Sequence, residues 1–219
     1  MRYPPLLISL FLVMLLKPFA EQFRAFPLPA GIFLLLIFLT LIYAFRHVPG
    51  LALFLAISGA GVTALRFAAD HWQTVTLLIA SHALSFVIMV VVIIAILTEV
   101  LRARTASSDL VTGAVCLYLV IGLAWAFLYY GIYLIAPDSI FASPGPARLT
   151  ASGAEARLTE VLYFSMSALT TIGSSGEEAV TRMTRQLAVA ESAMGQLYLA
   201  VLISRLVGFS TSSDTKPAQ

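Results

Sequence analysis

Apolar residues in this chain run on without the polar face that an amphipathic helix or an alternating strand would show. The runs are 5–16, 27–45, 48–66, 74–100, 110–135 and 187–209, with one more at 158–169. A bilayer core of about 30 Å needs roughly 20 helical residues; the five longer runs predict spans, and 5–16, short for one, is counted with them as a sixth. Polar groups punctuate them. Lys17, Glu21 and Arg24 follow the first, and Arg46-His47 with Pro49-Gly50 marks a tight hairpin between the second and third. Asp70, His71, Trp72 and Gln73 mark an interface, Arg102 and Arg104 close the fourth span, and Ser107-Ser108-Asp109 supplies a helix N-cap. Arg2 before the first run resembles a signal-peptide start. Pro18-Phe19-Ala20 is a poor cleavage site, so the run is expected to be a retained helix.

Residues 158–169 differ from the rest. At about 12 residues, roughly 18 Å as a helix, this run cannot cross the hydrocarbon. It is followed by Thr170-Thr171-Ile172-Gly173-Ser174-Ser175-Gly176, a hydroxyl-rich, glycine-punctuated stretch, and then by the last apolar run. Non-helical backbone survives at membrane depth only where protein shields it or where it lines a watery cavity. Short helix, polar loop and full helix therefore predict a re-entrant loop. A plainer reading takes Thr-Thr-Ile-Gly as a helix stop in a non-conducting membrane protein.

Composition agrees with a membrane protein. Of 219 residues, 60% are hydrophobic and 11% charged, and mean hydropathy is +0.95; soluble domains carry roughly 25% charge. The formal net charge of +2 reflects loop arginines and says little about partners. The single cysteine, Cys116, permits no internal disulfide, and the three histidines, His47, His71 and His82, are scattered. No nucleotide-binding glycine loop and no nucleophile elbow occur. These features point to no enzyme, no cofactor, no nucleic-acid partner and no soluble ligand-binding domain.

Tyr163 to Gly173, reading YFSMSALTTIG, resembles the pore helix and first half of the selectivity filter of potassium channels, whose pattern is T-T-[VI]-G-Y-G-D. Residues 191–208 resemble the inner helix of bacterial members of that family, and Gly113–Leu123 their outer helix. The resemblance covers about residues 108–209 and departs at Ser174-Ser175-Gly176, where the family has Tyr-Gly-Asp. It implies an all-α integral membrane homotetramer. Each chain would have a 1–105 membrane region, a 106–210 pore domain with a turret over 136–157, and a 211–219 polar tail. The implied function is passive conduction of potassium or other monovalent cations across a bacterial inner membrane, with both termini cytoplasmic. The alternative is a non-conducting scaffold or sensor subunit.

Thr171, Ile172, Gly173, Ser174 and Ser175 would form the filter, flanked by Thr170, Gly176, Glu177 and Glu178. Filter carbonyls line an axis only where alternate residues take unusual backbone angles. Gly173 suits one such position; Ser175 replaces the glycine of the next, where a Cβ costs about 1–2 kcal/mol. Glu177 and Glu178 would draw cations, or pair with Arg182 and Arg185. Gly195 reads as a gating hinge or as a close-packing point in a stripe with Ala188 and Ser192. Glu191 reads as a functional ionisable group, or as a hydrogen-bond partner behind the pore helix. The 74–100 span carries only His82 and Glu99, which excludes an arginine-based voltage sensor there.

Overall fold

The computed structural model describes residues 2–23, 30–103, 105, 107–136, 140, 151–173 and 181–214. Among the described residues the fold is all helix: α1 (Pro4–Phe23), α2 (Ala30–Ala44), α3 (Pro49–Trp72), α4 (Val75–Arg102), α5 (Ser108–Ile135), α6 (Ala151–Leu169) and α7 (Arg182–Asp214). A helix satisfies its own backbone polar groups, as a lipid environment demands. Among the described residues four stretches are long and apolar enough to cross a membrane: Pro49–Ala69, Val75–Arg102, Ser108–Ile135 and Arg182–Gly208. By these helices the chain is an all-α membrane protein. The apolar parts of α1 and α2, Pro4–Leu16 and Leu35–Ala44, are shorter.

Local signals set most boundaries. Ser107 caps α5, its side chain accepting from the Leu110 N–H at 3.1 Å. Pro49 begins α3, where its missing N–H is no loss. α3 runs past the expected end at Arg66 to Trp72, because Phe67, Ala68 and Ala69 continue the helix without a breaker. Its C-cap is Gln73, in the left-handed region at φ 50. The sequence reading placed a turret over 136–157, and this needs correction: the chain is helical from Ala151. The Ala-Ser-Gly-Ala-Glu-Ala-Arg segment is rich in helix formers, and Arg157 pairs with Glu160 one turn on.

α5 is the central element, touching α1, α4, α6 and α7. Tyr129, Tyr130 and Tyr133 on it are fully buried. His82 on α4 is buried against this aromatic layer, its ring 4.5 Å from that of Tyr130, and its Nδ1 lies 2.8 Å from the Leu78 carbonyl. α1 buries Leu6 and Leu10, and the Tyr3 ring lies against Gly113, where a Cβ would sit 2.9 Å away.

One end of the bundle is held by polar groups. Asp109 Oδ1 accepts the backbone N–H groups of Arg2 and Tyr3, capping α1 from the start of α5. Tyr3 donates to Glu99 at 2.6 Å, and Glu99 also meets His47 at 2.9 Å and Arg2 at 3.4 Å. Burial first, and the Glu99 carboxylate next, push the Tyr3 hydroxyl well above the usual phenol range, so it stays a donor. At the same end Arg205 of α7 donates to the carbonyls of Leu101 and Ala103 at 2.6 and 2.7 Å.

Candidate functional site

The site is built where α6 stops. α6 has 19 residues, about 28 Å of helix, so length alone does not keep it from crossing. Its charged residues Glu155, Arg157 and Glu160 do weigh against that. Contacts locate its end more directly. Ser165 Oγ lies 2.8 Å from Gly122 O and 2.6 Å from Glu191 Oε1, its one proton shared between them. Met166 and Leu169 pack on Gly122, and Leu169 O packs on Gly195. Gly122 is near the centre of α5, and Gly195 is the central residue of the apolar part of α7. The last turn of α6 thus lies at mid-height between two long apolar helices.

Three helices converge on that turn. Tyr118 of α5 donates to Leu169 O at 3.0 Å, and Ser192 of α7 donates to Ala168 O at 2.7 Å. The stripe Ala188, Ser192 and Gly195 is therefore the floor on which α6 ends. A Cβ at Gly195 would collide with the Leu169 carbonyl oxygen, which is backbone and has nowhere to go. Gly195 is thus a point of close packing. Glu191 is fully buried behind α6, held by Ser165, and the Tyr129 hydroxyl faces it. The hydrogen-bonding reading of Glu191 describes what is seen.

Beyond Leu169 the backbone turns sharply. Ile172 N–H donates to Ser167 O at 3.1 Å and Thr171 N–H to Ala168 O at 3.0 Å. This pair of bonds closes the helix in a Schellman motif. The motif needs a left-handed residue at its turn, normally glycine, and Thr171 fills that position at φ 59. Gly173 follows at φ 81. Alternate residues thus occupy the left-handed region, and one of them is β-branched, at a cost of about 1–2 kcal/mol. Thr171 is held by further bonds: its hydroxyl donates to Thr170 O at 2.7 Å and accepts from Gln196 Nε2 at 3.1 Å. Thr170 through Gly173 are all exposed, Ile172 at 80%.

No family model, curated protein or solved structure matches this chain.

Geometry alone therefore defines the site. A cavity of about 340 Å³ opens beside it, between Ser167, Ala168 and Thr171 on one side and Ala188 and Ser192 on the other. Of the sequence-selected residues, Thr170, Thr171, Ile172, Gly173, Glu191 and Gly195 come together here. Ser174, Ser175, Gly176, Glu177 and Glu178 lie outside the described residues. Sequence reading did not single out Tyr118, Tyr129, Ser165 or Gln196. Their hydroxyls and amide sit in otherwise apolar runs, and that polarity was the available signal.

Proposed function

We propose that the chain is one quarter of a pore-loop cation channel of the potassium-channel type, passing monovalent cations passively as a homotetramer. The observation that carries this reading is the exposed turn Thr170–Gly173, which follows directly on the end of α6 that Tyr118 and Ser192 hold at mid-height between α5 and α7. Lipid cannot solvate such backbone. It needs water or another copy of the chain beside it, and four copies around an axis supply both. α6 would then dip into the membrane and the chain return to the start of α7, a re-entrant loop. The end of α6 brings roughly half a negative charge per copy to the axis, which favours a cation.

Further features support the assembly. α7 leaves Val189, Leu197, Val201, Ile203 and Val207 exposed along its length, a face suited to packing against neighbouring copies. Counting α1 and α2 as spans gives six and puts both termini on one side. The polar end of the bundle, with Arg2, Arg46, Arg102 and Arg205, is then cytoplasmic by the positive-inside rule. The membrane would be a bacterial inner membrane.

Selectivity follows from the filter chemistry. Carbonyl rings at Thr171 and Ile172 would remain, while Ser174 and Ser175 remove the tyrosine cuff and the second glycine. Fewer rings in series discriminate less between potassium and sodium, so the preference for potassium is weak. A second reading, a non-conducting scaffold, has one observation in its favour: Thr171 closes α6 as a helix cap. Rubidium or thallium flux into liposomes separates the two. Flux is expected; its absence from a correctly assembled protein rejects the channel.

A further inference from the structure

Gln196 lies on the exposed side of α7, in the middle of an apolar helix, beside Thr171. An amide facing hydrocarbon is unfavourable, and this one is turned to the Thr171 hydroxyl instead. The protons can be assigned. The Thr171 hydroxyl has one, and it goes to Thr170 O at 2.7 Å. The contact of Thr171 Oγ1 with Gln196, at 3.1 Å, must then be a bond that the threonine accepts. This fixes the amide: its nitrogen points to Thr171, and its carbonyl arm is left as a further oxygen beside the same turn.

We infer that Gln196 is a specificity-determining residue of the pathway, an inference that rests on the channel reading. It acts in two ways. By donating to Thr171 it locks the hydroxyl toward Thr170 and holds a β-branched residue in a left-handed turn it would otherwise leave. By its free carbonyl it adds an oxygen of its own to the inner end of the turn, so that four copies present a ring of amide oxygens below the ring of threonine hydroxyls. Cations that shed water there meet neutral oxygen dipoles, which coordinate potassium and sodium differently according to their number and spacing.

The test uses the full chain in planar bilayers, with bi-ionic reversal potentials for potassium against sodium. Gln196→Leu removes both the donor and the oxygen, and it is tolerated because the side chain is exposed. The expected change in permeability ratio is about five-fold, the factor corresponding to one net hydrogen bond. Gln196→Glu keeps the size but cannot donate, so it should also change the ratio, and its charge should raise cation conductance. A purely structural role would lower thermal stability and leave the ratio alone. If the wild type conducts and both variants keep its ratio, the inference is overturned while the channel reading stands. A wild type that passes no cation overturns both.

Discussion

Gly195→Ala separates close packing from a hinge. The added methyl points at the Leu169 carbonyl oxygen, with Leu169 Cδ1 next at 3.1 Å. Mid-helix alanine is favoured over glycine by about 1 kcal/mol. Overpacking against backbone costs about 1–3 kcal/mol. Displacing the Leu169 carbonyl also strains its bond from Tyr118, a bond of about 1 kcal/mol at 3.0 Å. The sum is a net destabilisation of about 1–3 kcal/mol, together with a shift of the turn at Thr171. Gly208→Ala is the control, since nothing lies within 4 Å of that Cβ on the same helix. Thermal unfolding in detergent and rubidium flux are measured on both. Gly195→Ala should unfold earlier and lose flux, while Gly208→Ala should match the wild type or exceed it. A Gly195→Ala protein as stable as Gly208→Ala would refute the packing argument, and altered gating at unchanged stability would restore the hinge.

Other outcomes follow from the same geometry. Ser165→Ala removes one donor from the buried Glu191 carboxyl and should destabilise by about 1–3 kcal/mol, read as an earlier unfolding midpoint. Thr171→Gly relieves the left-handed strain, so it should raise stability by up to about 1 kcal/mol while reducing potassium selectivity in reversal-potential measurements. Ser174→Tyr with Ser175→Gly should sharpen potassium over sodium preference in the same assay; a strong preference already present in the wild type would contradict the weak-filter argument.

The parts of the fold legible in the sequence were those set by solvent. α4 and α5 are apolar on every side, so hydropathy located both, and the Ser107 cap fixed the start of α5. The onset of α6 was hidden because the preceding Pro144-Gly145-Pro146 reads as loop and drew the boundary too late. At the site, the hydroxyl and glycine run marked the place but not its geometry. A β-branched residue is a poor guess for φ 59, and the local cap bonds at Thr171 are joined by one from Gln196, 25 residues on, that the sequence does not reveal. The roles of Gly195 and Glu191 stayed divided between two readings for the same reason: their partners, Leu169 and Ser165, are set by tertiary packing.

The cap that Asp109 places on α1 has a consequence for how the protein is made. The two ends of that contact are 107 residues apart in sequence. At a synthesis rate of about 5–20 residues per second, α1 waits roughly 5–20 s before the residue that caps it has been made. During that interval its buried face, Leu6 and Leu10, has no α5 to pack on. The cap on α1 thus forms only once α5 is made, although α2, which follows it directly, gives it an earlier surface to pack on. A pause or slow codons between α1 and α5 would lengthen the time α1 spends exposed to insertion factors and membrane proteases.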